Sequence, residues 1–150
     1  MRPRKYRADP WAGLRLLNNA RPYDPGDTTA RHLQTRAAFE RLKAGDAESD
    51  DFDRLAMSLN VGKVRAMEID PALADEIEAA QTAMTEVRER FERIGKWGFS
   101  AQQLAAITHA LQAYEAIHDA SSPMQMERAR QVVERVILQQ INSKTIATSA

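Results

Sequence analysis

The chain of 150 residues contains no cysteine. Disulfides, thiolate metal sites and cysteine nucleophiles are thereby excluded together, and the composition fits a reducing compartment, the cytoplasm being the simplest. Net charge is absent as well: 21 Lys and Arg balance 21 Asp and Glu, so no global field favours polyanions. Long apolar runs are also missing. The basic start "MRPRKYR" is not followed by the apolar stretch of a signal peptide, and charges interrupt every apolar segment well before the ~20 residues of a membrane span. A soluble protein without membrane contact is expected. β-Branched residues are sparse and no run alternates with period two, which leaves little room for strands.

What is present favours helices: Ala, Leu, Arg, Glu and Gln dominate, and the size suits one domain able to bury a core. We expect an all-α bundle of five to six helices, three long ones towards the C-terminus and shorter ones before them. The expected division is a basic arm over 1–9, a single helical domain over 10–141 and a frayed tail over 142–150. Asp9-Pro10 reads as a helix start, as does Asp27 or Thr28 for a helix ending at Gly45 with Leu33, Ala37, Ala38 and Leu42 on one side. Asp70-Pro71 opens the strongest pattern, in which Leu73, Ile77, Ala80, Met84, Val87, Phe91 and Ile94 recur at spacings of four and three. Such a seam packs best against other long, nearly parallel or antiparallel helices. Ser100 with Gln103, and Ser122 with Gln125, have the spacing of capping boxes. Behind them Leu104, Ile107, Leu111, Tyr114 and His118, then Met126, Ala129, Val133, Val136, Ile137 and Ile141, face inward.

Chemistry-bearing motifs are few. Glu115 and His118 make a single E-x-x-H, whereas a di-iron bundle needs two such motifs and two further carboxylates. His32 and His109 have no ligand-like spacing to it, and His118 with Asp119 reads as the close of a helix. "DAESDDFD" lacks the central Gly and terminal Glu of a calcium loop, and "NVGKVR" lacks the flanks of a phosphate loop. No catalytic residue, cofactor or metal site is assigned, and a non-enzymatic protein is expected.

Binding candidates are more numerous. Trp97 and Phe99 lie between glycines beside Lys96, a setting in which an aromatic anchors a partner or covers the end of a core. Asp46, Glu48, Asp50, Asp51 and Asp53 form an acidic cluster at an expected helix start, useful either as capping charge or towards a basic partner. For nucleic acid, the candidates are Arg2, Arg4, Lys5 and Arg7 of the arm, with Lys63 and Arg65 if "RLAMSLNVGKVRAMEID" (Arg54–Asp70) forms a helix-turn-helix turning at Asn60–Gly62. That reading places Ala66 where a bulky aliphatic belongs. One helix over 51–69 satisfies the pattern as well, since a helical glycine costs only ~1 kcal/mol.

"RPRKYR", "LAMSLNV", "EIEAAQTAM" and "LQAYEAIHDA" together resemble small helical proteins encoded by phages, prophages and plasmids of proteobacteria. The likeness spans most of the chain, rests on helix-pattern motifs and carries over no functional residue. In that group the segment matching "LNVGKVRAM" reads as continuous helix. The resemblance implies a mobile-element accessory or inhibitory factor that binds a host component. A host protein is the expected partner, with nucleic acid or a second copy of the chain as alternatives.

Overall fold

The computed structural model describes residues 25–149, with side chains described over 29–144. Five helices follow one another: α1 (Pro25–Ala44), α2 (Ser49–Ile69), α3 (Pro71–Ile94), α4 (Ala101–Asp119) and α5 (Pro123–Ser149). The described residues contain no strand, so the all-α expectation holds. The arm and the helix expected after Asp9-Pro10 lie outside the described residues.

Local signals set the helix boundaries. Gly45 and Gly95 stop α1 and α3 in the left-handed region, at φ 82° and 69°, where only glycine is free of strain. The Asp70 carboxylate accepts from the Ala72 N–H at 3.0 Å, with Pro71 in the first turn of α3. Both capping boxes form: the Gln103 N–H donates to Ser100 Oγ while the Ser100 N–H donates to Gln103 Oε1, and Ser122 and Gln125 repeat the arrangement. Asp51 reaches back to accept from the Glu48 N–H at 3.0 Å at the start of α2.

Helix α2 runs unbroken from Ser49 to Ile69, so no turn forms at Asn60–Gly62 and the two-helix DNA-reading motif is not built. This helix is the axis of the molecule and packs against each of the other four. Leu55, Leu59 and Ala66 are fully buried on it, with Ile77, Ala80 and Val87 of α3 and Ile107, Ala110 and Leu111 of α4 around them. At Gly62 the neighbouring helices come close. A β-carbon there would lie 2.9 Å from Tyr114 Cδ2 and 3.3 Å from Ile77 Cδ1. The glycine therefore trades intrinsic helix stability for contact with two neighbouring helices at once.

Three expected faces are corrected. On α1, Leu33 is 62% exposed and Phe39 is buried instead, because the core-facing stripe is Thr35, Ala38, Phe39 and Leu42. At the end of the α3 seam Ile94 is 52% exposed. On α5, Val136 and Ile141 are exposed although they continue the inward pattern. The helix continues to Ser149, and no glycine or proline follows Pro123 to stop it.

The Gly62 contact gives a direct prediction. Gly62→Ala gains up to ~1 kcal/mol of helix propensity but overpacks a site where such insertions cost about 1–3 kcal/mol. Thermal unfolding is expected to show a Tm a few degrees below that of the parent protein. An unchanged or higher Tm would mean that Tyr114 and Ile77 move aside freely.

Candidate functional site

Four helices leave a cavity of about 670 Å³ between them. Arg31, Gln34 and Thr35 of α1 line it, with Asp50, Asp53, Arg54, Met57, Ser58 and Val61 of α2, Tyr114 and His118 of α4, and Met126, Glu127 and Arg130 of α5. The wall is polar and of mixed sign, with three arginines and three acids. Hydrogen bonds across it tie α1 to α2: Thr35 Oγ1 and Ser58 Oγ lie 3.3 Å apart, and Arg54 donates to Gln34 Oε1 at 3.2 Å. Beneath it Tyr114 joins Val61, Met126, Ala129 and Val133 in a small apolar cluster that seats α5.

His118 lies one turn beyond Tyr114 on the same face of α4 and is 2% exposed. The helix ends at Asp119 with His118 in its last turn, as expected, and the His118 ring is buried against His32 of α1, with centroids 5.1 Å apart in an edge-to-face arrangement. His32 and Tyr114 are also in edge contact, at 6.5 Å. Burial, then the nearby His32 and Arg31, push the His118 imidazole down from 6.5 to about 4, with Asp119 opposing the shift. His118 is thus neutral near pH 7. Asp119 Oδ1 lies 3.6 Å from His32 Nε2, and His32, His118 and Asp119 each offer a ligand atom within 4.8 Å of the others. Glu115, the other half of the E-x-x-H, turns away from this group and accepts two hydrogen bonds from Arg36, at 2.6 and 2.9 Å, which hold the guanidinium proton more firmly.

Several of the described binding candidates are engaged within the chain. Trp97 stacks on Phe91 at 3.9 Å and on Phe52 at 5.2 Å, while Phe99 stacks on Phe39 at 5.6 Å. The loop they occupy covers one end of the core, and Arg90 fixes it by donating to Gly98 O and Gln103 Oε1. Lys96 beside them is exposed. In the acidic cluster, Asp51 is buried against Arg41, which donates to it at 2.9 Å and, with the Glu48 N–H, holds its carboxyl below the usual range. Asp46, Glu48, Asp50 and Asp53 are exposed, and the last two stand at the cavity. Lys63 lies 3.6 Å from Glu78, and Arg65 donates to Glu68 at 2.7 Å and to Ser121 Oγ at 3.0 Å. Neither is displayed as an open phosphate contact. Arg2, Arg4, Lys5 and Arg7 lie outside the described residues.

The chain matches no family model, and no curated protein and no solved structure matches it. No described helix is long and apolar enough to cross a membrane.

Because His118 binds its proton more weakly when folded than when unfolded, its contribution to stability is complete above pH 6.5 and is lost as the pH falls towards about 4. In chelator-treated protein, the His118 ring resonances are expected to titrate near pH 4, and the urea midpoint should fall between pH 6.5 and 5 by more in the parent than in His118→Gln. A His118 titration at 6.5 would contradict the burial that the structure assigns to it.

Proposed function

We propose that this chain is a non-enzymatic helical binding protein that engages a protein partner through the apolar face of α5. A mobile-element accessory factor is the setting that the sequence resemblance implies. Three exposed apolar side chains of that helix, Val132, Val136 and Leu138, support this reading. Among the described helices α5 packs chiefly on α2, through Met126, Ala129 and Val133. From Glu134 to Lys144 every side chain except Ile137 is exposed, although Val132, Val136 and Leu138 are 39%, 46% and 59% accessible.

Residues 134–149 amount to about 24 Å of helix at 1.5 Å per residue. A segment of that length is marginal in water without tertiary packing, and its valine, isoleucine and threonine content lowers its propensity further. A partner groove that covers the apolar side chains would stabilise the helix by about 1 kcal/mol per half-exposed residue. This is the helix-in-groove mode of recognition, in which i, i+3 and i+4 positions supply the anchors. The mixed charges of Glu127, Arg130, Glu134 and Arg135 suit the rim of such an interface, which is polar where the centre is apolar.

The test is affinity capture from a proteobacterial lysate treated with nuclease, comparing the parent chain with Val136→Glu/Leu138→Glu. Both positions are exposed, so the variant is expected to keep its circular dichroism and its Tm within a few degrees. It should lose a stoichiometric protein partner that the parent retains. Equal capture by both chains would remove α5 from the interface. Light scattering that shows the parent as a dimer and the variant as a monomer would make a second copy the partner and overturn the host-protein reading.

A further inference from the structure

Nε2 of His32 is buried and makes no hydrogen bond, an uncommon state for a ring nitrogen shielded from water. Asp119 Oδ1 lies 3.6 Å away, too far for a hydrogen bond. Two ligand atoms bound at 2.0–2.1 Å to one tetrahedral Zn²⁺ are separated by about 3.4 Å. The spacing of His32 and Asp119 is therefore that of two ligands of one ion. His118 brings a third donor, and all three ligand atoms lie within 4.8 Å, so closing the set takes a side-chain adjustment of about 1 Å.

We propose that His32, His118 and Asp119 bind a divalent first-row transition ion, with Zn²⁺ as its redox-inert representative. The donor chemistry selects the class. Two imidazoles and one carboxylate suit zinc and its neighbours, whereas calcium and magnesium require oxygen ligands throughout. Arg31 opposes a dication here, and the Asp119 carboxylate together with the C-terminal end of α4 offsets it. The ion reaches the site from the side of Asp119, whose carboxylate is exposed. Three protein ligands leave a fourth position for water or for a donor atom of a cavity ligand, since His118 also lines the cavity.

The structural consequence is a link between α1 and α4, two helices whose direct packing is slight compared with their contacts to α2. Metal binding to the folded chain alone raises its stability by mass action.

The experiment is calorimetric titration of chelator-stripped full-length protein with Zn²⁺, together with thermal unfolding at each metal level. The expected result is uptake of one ion per chain and a rise in Tm. Asp119→Asn changes an exposed group and keeps the fold, yet should weaken binding at least tenfold and abolish the Tm rise. His32→Gln should do the same, while His109→Gln, altered at the exposed histidine, should bind like the parent. Absence of stoichiometric uptake, uptake unchanged in Asp119→Asn and His32→Gln, or uptake lost in His109→Gln would overturn the proposal. Asp119→Asn decides the question even where a change at buried His118 prevents folding.

Discussion

The seat that Gly62 provides for Tyr114 and Ile77, where a β-carbon would lie 2.9 Å and 3.3 Å from their side chains, joins three of the described helices. Along the rest of its length α2 also packs on α1 and α5. Seating Tyr114 there fixes the rotation of α4, and the same face carries His118 one turn further on, against α1. Val61, the residue before the glycine, belongs to the cluster that seats α5. A single missing side chain thus links the main core, the histidine pair and the position of the last helix.

Around this core the charged residues are largely satisfied by one another. Arg36 clamps Glu115, Arg41 holds Asp51, Lys63 lies by Glu78, and Arg65 is shared between Glu68 and Ser121. The more exposed of these pairs, such as Lys63 with Glu78, contribute little to stability, ~1 kcal/mol at most. Their effect is on surface character: among the described residues they set acids beside the basic side chains that a polyanion would need. What the described surface offers is a set of exposed apolar side chains on α5 and a mixed-charge cavity beside two histidines.

Features with local causes were legible in the sequence. Asp70-Pro71, Ser100 with Gln103 and Ser122 with Gln125 each satisfy amides within one turn, so their spacing alone locates a helix start. The α3 seam was readable for the same reason, as periodicity reports which side of a helix faces inward. It does not report how far the neighbouring helix extends, which is why Ile94 and Val136 continue a pattern yet stand exposed. The choice of Phe39 over Leu33 depends on how α1 is rotated against α2, and that is a tertiary matter. His32 and His118 meet only because α1 and α4 both pack on α2. No spacing rule connects residues brought together by a third helix. A histidine amid an otherwise apolar face of α4 was the one available hint.

In this architecture α2 forms the stable axis, while most side chains of α5 from Glu134 to Lys144 lie outside the packed core. Amide hydrogen exchange of the isolated chain, resolved along the sequence, tests it most directly, because protection follows burial and local opening. The slowest exchange is expected in α2 between Leu55 and Ala66, with exchange faster by orders of magnitude in α5 beyond Val136. Uniform strong protection along α5 to Ser149, or an α2 that opens before α3 and α4, would contradict it.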